Sequence, residues 1–320
     1  MSLSHTPPVP GRVDEQAQRV VREKHQRPRR SPDMVRRTFR RWFRETGWRH
    51  VIGFGVVVFC VFPLVYVLSA SLNPAGTLIT ANNLFSRVSL ASYIDLFNRP
   101  QQPYAAWFAN TLFIGLSASA GSVLLGALAA YAFSRMRFTG RRFGLITLVL
   151  VQMFPQLLAM VAIFLLMLGI GEVFPAIGLN SQIGLIMVYL GGALGVNTYL
   201  MYGFFNTVPT SIDEAARIDG AGHARIFFTI ILPLASPILA VVALISLVGT
   251  LSEFVIASVL LRDPERQTLA VGLYQFISQE TSQNWSVFSA GAVLAAVIPV
   301  VLFLLLQRYI VSGLVAGSVK

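Results

Sequence analysis

The feature that most constrains this chain is a series of six long apolar stretches with short polar segments between them. They cover residues 51–72, 107–133, 143–168, 183–205, 237–261 and 288–310. A helix needs about 20 largely apolar residues to cross about 30 Å of hydrocarbon, and each stretch is long enough. Chain that crosses lipid must satisfy its own backbone polar groups, so stretches of this kind are expected to be helices. Only 12% of the 320 residues are charged, against about 25% in a soluble domain. Mean hydropathy is +0.66. These values exclude a cytosolic globular enzyme, a disordered protein and a coiled coil. The expected fold class is an all-α integral membrane protein with six transmembrane helices.

Basic residues set the expected orientation. Of 25 Lys and Arg residues, 13 lie in residues 1–50, 4 in 134–142, 2 in 206–236 and 2 from Arg308 onward. Only 4 fall in the alternate segments 73–106, 169–182 and 262–287. The positive-inside rule then places both termini in the cytoplasm. Stretch 51–72 follows 50 polar residues and is too long for a signal core, so it is read as an uncleaved anchor. The expected organisation is a basic cytoplasmic tail 1–50, a permeation domain 51–310 and a short cytoplasmic tail 311–320. Small residues recur every fourth position at Ala118, Ser122, Gly126 and Ala130, at Gly191 and Gly195, and at Gly291 and Ala295. That spacing lets helix backbones approach closely in lipid, here within one chain.

The tail has two parts. Residues 1–33 are polar, basic and read as poorly ordered. In 34–48, Val35, Phe39, Trp42, Phe43 and Thr46 share one helical face, and Arg36, Arg37, Arg40, Arg41 and Arg44 the other. Such a helix lies on an anionic lipid surface. With a spanning helix directly downstream, no nucleic-acid partner is expected.

The most informative loop is 206–236. It contains Ser211-Ile212-Asp213-Glu214-Ala215-Ala216-Arg217-Ile218-Asp219-Gly220 and, after nine residues, Ile230-Ile231-Leu232-Pro233. Ser211 and Glu214 have the spacing of a capping box. Asp213 and Glu214 put negative charge in a first helical turn. Gly220 supplies the positive φ that ends a helix, and Pro233 is expected to end a second one. The segment therefore reads as a rigid helical hairpin on the cytoplasmic side, more specified than a simple connection requires.

This spacing resembles the EAA loop of bacterial ABC-importer permeases, whose pattern is E-A-A, three residues, G, nine residues, I-x-L-P. Here Glu214-Ala215-Ala216, Gly220, Ile230 and Leu232-Pro233 match it without departure. From about residue 51 to 320 the chain resembles the shorter permease of maltose/maltodextrin importers. The matching stretches include Tyr131-Ala132-Phe133-Ser134-Arg135-Met136-Arg137-Phe138, Gln152-Met153-Phe154-Pro155 and Thr268-Leu269-Ala270-Val271-Gly272. The long basic tail departs from that pattern. The resemblance implies a type I ABC importer permease bundle in the bacterial plasma (inner) membrane. It implies three partners: a larger homologous permease, a homodimeric ATP-binding subunit and an extracellular or periplasmic sugar-binding protein. ATP and Mg would act on the partner ATPase, leaving this chain non-catalytic and without a cofactor. It further implies that Glu214, Ala215, Ala216, Arg217, Asp219, Gly220, Leu232 and Pro233 couple to the ATPase. Gly317, Ser318, Val319 and Lys320 would contact it too. Loop residues Tyr274, Gln275, Gln279 and Asn284 would face the binding protein.

Other polar residues carry two readings each. Gln152 and Gln156 flank Pro155, Asn197 lies in the fourth stretch, and Glu253 is the one acidic residue inside a stretch. They either line a sugar path or hydrogen-bond between helices. Arg135, Arg137, Arg141 and Arg142 are read as topology anchors, with ATPase contact as the alternative. His5, His25, His50 and His223 are spaced for no metal site, and the lone Cys60 makes no disulfide within the chain. A self-sufficient secondary transporter or channel is the rival reading. It would need an internal repeat and more mid-membrane ionisable groups than Glu253.

Overall fold

The computed structural model describes residues 41–74, 83–278 and 284–316. The basic tail 1–40, Gln279 and the segment Gly317, Ser318, Val319 and Lys320 lie outside the described residues. The chain divides into two compact units, Met1–Pro63 and Leu64–Lys320. Among the described residues there are helices and turns but no strand.

All six apolar stretches are helical, but only three are unbroken. Helix α1 (Trp48–Ser71) follows a wide helical turn at Phe43–Gly47. Helix α2 (Ala91–Phe97) is short, and α3 (Tyr104–Arg135) is a single rod. Residues 143–168 do not form one rod. They divide between α4 (Arg141–Val151) and α5 (Gln156–Val173), with Pro155 extended at φ −63° and ψ 119°. Proline lacks an N–H and disfavours a helical residue before it, which is the physical reason for the break. The fourth stretch is α6 (Gln182–Ala193) and α7 (Val196–Phe205), bent by 53°. Loop 206–236 holds α8 (Thr210–Ile218) and α9 (His223–Leu234). Helix α9 turns by 79° into α10 (Ser236–Ser252), and α11 (Val255–Leu260) resumes after Glu253. Helices α12 (Leu269–Ser278) and α13 (Trp285–Ala316) complete the chain. Three described helices are long and apolar enough to cross a membrane alone, and up to five spans result if each bent pair counts as one.

Helix α3 is the common support of the second unit, packing against α6, α7, α10 and α12. Its small-residue stripe explains why. Ala118, Ser122, Gly126 and Ala130 are all buried. A Cβ at Gly126 would already stand 3.5 Å from Met201 Sδ. Ser119 adds a hydrogen bond from its hydroxyl to the Ala243 carbonyl, 2.8 Å away. Gly291 is likewise a close-approach site, where a Cβ would meet Leu273 and Tyr104. Gly191 is not: nothing lies within 4 Å of its Cβ position, so the expected Gly191/Gly195 stripe is not a packing face. Only Gly195 is buried there, against Gln152.

Candidate functional site

The hairpin formed by α8 and α9 is the most tightly specified feature outside the apolar stretches. The expected capping box is absent. Helix α8 starts at Thr210, so Ser211 lies inside its first turn, and no side chain caps it. Pro209, at φ −58° and ψ 132°, takes the cap position and fixes the start two residues early. The C-terminus behaves as expected. Gly220 has φ 78°. The Ala221 N–H donates to Ala216 O at 2.9 Å, and the Gly220 N–H to Arg217 O at 3.0 Å. These two bonds are the Schellman pattern, which satisfies the last carbonyls and turns the chain sharply. Ala221 also packs against the cluster containing Ala216. Pro233 does not end the second helix. Residues Phe227–Ile231 form a wider turn ahead of it, and the helix continues to Leu234. A wide turn relieves the crowding a mid-helix proline creates, and the bend moves to Ala235. Pro237 then occupies the first turn of α10, where a missing N–H costs little.

The two faces of α8 differ. Asp213 and Ala216, three residues apart, are buried. Glu214, Ala215, Arg217, Asp219 and Gly220 are exposed. Ile218 is 87% exposed, an apolar knob beside Glu214 and Ala215 on the outer face. On the inner face, Asp213 meets Arg135, the last residue of α3. Arg135 Nε stands 2.6 Å from Asp213 Oδ2, with side-chain exposures of 4% and 5%. The N–H is not aligned on that oxygen, and neither carboxylate oxygen takes a hydrogen bond from the described residues. Arg135 Nη2 also donates to Val208 O at 2.8 Å, holding the entry to the hairpin. Arg135 is therefore a buried contact of the hairpin, a role its expected part as a topology anchor did not include. One turn earlier on α3, Tyr131 packs its ring 5.1 Å from that of Phe227 in α9. Its hydroxyl lies 3.4 Å from His223 Nδ1. Leu232 packs on the same apolar cluster, and Pro233 is exposed.

Comparison with known proteins places this hairpin in context. Residues 122–315 match the family model described as binding-protein-dependent transport system inner membrane component. The chain belongs to this permease family. It is 41% identical over 266 residues to the galactooligosaccharides transport system permease protein GanQ of Bacillus subtilis, covering 83% of this chain and 92% of that one. It is 38% identical over 287 residues to the maltose/maltodextrin transport system permease protein MalG of Photorhabdus laumondii, covering 85% and 96%. Among solved structures it resembles a chain of a bacterial ABC transporter involved in the import of the acidic polysaccharide alginate. There the TM-score is 0.70 and the identity 24%, over 84% of this chain and 98% of that one. The likeness of structure carries the fold, which is the permease bundle expected from the sequence.

The permease uses its intramembrane polar residues between its own helices. Gln152 spans the break in the fourth stretch: its Oε1 accepts the Val196 N–H at 2.8 Å, and its Nε2 donates to Gly192 O. Gly195 leaves room for this, since a Cβ there would collide with the Gln152 side chain. Asn197 Nδ2 donates to Ser246 Oγ at 3.0 Å, joining α7 to α10. The Glu253 carboxylate accepts from the Ile256 and Ala257 N–H groups at 2.8 and 2.9 Å, and from Tyr189 Oη at 2.7 Å. It thus caps α11 and bonds to α6. Gln152 and Asn197 meet at the same break, and Glu253 sits at a separate one. The Gln156 side chain lies outside the described residues.

In loop 262–287, Tyr274 is exposed, with its ring 5.0 Å from Phe254. Gln275 Nε2 donates to Gln267 Oε1 at 2.6 Å. Asn284 Oδ1 accepts from Arg99 Nη2 at 3.1 Å, and Arg99 also covers the Phe276 ring. The first residues of the loop are pinned. Trp107 Nε1 donates to Pro264 O, and Asn110 Nδ2 to Glu265 O, both at 2.7 Å. Asn180, at φ 59°, accepts the Arg262 and Asp263 N–H groups on its side chain. Sequence reasoning assigns Arg135 and Asp213 other roles, a topology anchor and a first-turn acid, and passes over their pairing as well as Ile218 and Asn180. The legible signal for Asp213 was an acid sharing a helical face with Ala216, where a solvated charge has no place.

Proposed function

We propose that the chain is a translocation subunit of an ATP-driven, binding-protein-dependent importer of a neutral oligosaccharide. The observation that supports this most is the α8–α9 hairpin, which is fixed to α3 and presents Glu214, Ala215 and Ile218 outward. Such a part suits docking to an ATPase that supplies the work. In this reading the chain performs no catalysis, and ATP and Mg are bound by a homodimeric ATPase. A larger homologous permease completes the pathway, and a sugar-binding protein meets loop 262–287. Both termini and the hairpin face the ATPase side of the inner membrane, as the basic-residue bias expects. The tail Gly317-Ser318-Val319-Lys320 enters the ATPase interface.

The charge pattern points to a neutral sugar. The six stretches hold no Lys or Arg before Arg308 at the end of the last one, and Glu253 is their single acid. Glu253 is already occupied by three donors. An acidic polysaccharide would require cations along its path. Maltodextrins or related α-glucosides, and galactooligosaccharides, fit this requirement.

The test is reconstitution of the chain with its partner permease, ATPase and binding protein in proteoliposomes. ATP hydrolysis should rise when the binding protein carries a maltodextrin or a galactooligosaccharide, and labelled sugar should accumulate. An assembled complex that hydrolyses ATP identically with every neutral sugar, and accumulates none, would sink the proposal.

A further inference from the structure

We infer that Arg135 and Asp213 form a pin that locks the hairpin to the end of α3, so that displacement of α8 is carried into α3 without slip. This rests on the reading of the hairpin as the ATPase-facing element. The two are positioning residues and touch neither sugar nor nucleotide.

Stability alone does not account for this pair. Both side chains are removed from water, yet the Asp213 oxygens receive no hydrogen bond from the described residues to offset their burial. Well-packed apolar side chains of similar volume hold two helices at least as firmly as a buried ion pair of this kind. What the charges add is position. Apolar surfaces slide over one another at little cost, whereas opposite charges at 2.6 Å favour one register.

A second grip lies one turn away. Tyr131 and Arg135 are four residues apart and share a face of α3. Arg135 holds α8 through Asp213 and the hairpin entry through Val208 O. Tyr131 holds α9 through Phe227 and His223. The last turn of α3 thus holds both arms of the hairpin. Because α3 also packs against α6, α7, α10 and α12, motion delivered there reaches most of the bundle.

The experiment uses the assembled importer with a Cys60→Ser background and spin labels at Thr139→Cys and Thr210→Cys. These positions are exposed, one just beyond α3 and one at the start of α8. The distance between labels is measured without nucleotide and with the ATPase trapped closed. We expect the same distance in both states. Uptake and hydrolysis are then compared in an Arg135→Met/Asp213→Leu variant without labels. We expect sugar-stimulated hydrolysis to persist, with sugar moved per ATP falling about tenfold, a size typical of coupling between sites. A distance that changes between the two states overturns the pin, and so does normal uptake per ATP in the double variant. If the double variant fails to assemble, the distance in the otherwise unaltered chain still decides. Absence of sugar-stimulated hydrolysis in the unaltered complex would instead overturn the importer reading.

Discussion

At the scale of single residues, Gly220 and Ile218 carry the sharpest expectations. Gly220 sits at φ 78° with open space around its Cβ position, so backbone conformation and not crowding restricts it. A left-handed conformation costs an L-residue roughly 1–2 kcal/mol, and more when it is β-branched. Gly220→Val should therefore distort the turn between α8 and α9, leaving the membrane bundle intact. Uptake should fall strongly while the amount of purified complex stays near normal; unchanged uptake would count against a role for the turn. Ile218 is the large apolar side chain on the outer face of α8 that water covers most fully. Ile218→Asp should release the ATPase during purification without lowering the thermal stability of the isolated permease. Retention of the ATPase at the level of the unaltered chain would show that this face is not the docking face. Gly220 was legible because its spacing and its chemistry agree. Ile218 was not, because a lone apolar residue beside charges says nothing until the helix is seen to end there with that side chain facing outward.

At the scale of elements, the breaks matter more than the helices. Apolar length placed a helix in every one of the six stretches, since hydrophobicity is a property of composition summed over many residues. It did not place the interruptions at 194–195 and 253–254, where Gln152 and Tyr189 reach in from other helices; the one at 152–155 follows from Pro155 itself. Glu253 illustrates the point. As sequence it is an acid in an apolar run, and a sugar contact and a helix contact are equally reasonable. In the structure it accepts two backbone N–H groups of α11 and the Tyr189 hydroxyl. Glu253→Ala would leave those donors without a partner at a cost of about 1–3 kcal/mol each when buried. We expect a clear drop in the thermal denaturation temperature of the detergent-solubilised complex, and a smaller drop for Tyr189→Phe. Equal stability of Glu253→Ala and the unaltered chain would mean that the cap contributes nothing. The predicted capping box at Ser211 failed for a related reason: Pro209 sets the backbone before any side chain can choose its role.

At the scale of the whole molecule, loop 262–287 and the hairpin lie at opposite ends of the proposed route, and their failures should be separable. Asn180, Trp107 and Asn110 hold residues 262–267 by hydrogen bonds, so this part of the loop is a firm surface for a partner. Shortening residues 276–283 should abolish stimulation of ATP hydrolysis by sugar-loaded binding protein, with the ATPase still bound. Deleting 314–320 should do the reverse and weaken ATPase retention. Loss of both properties in either variant would argue against two separate contact regions. The polar contacts across the helices also bear on how the chain is made. Synthesis runs from the amino end, so Tyr189 is in the growing polypeptide before Glu253 leaves the ribosome. The two amides that share the carboxylate follow within four residues. The one acid of the apolar stretches can therefore enter lipid after its distant partner and almost together with its near ones. A carboxylate alone in hydrocarbon is expensive, and this order of appearance shortens the time for which it stands alone during biosynthesis.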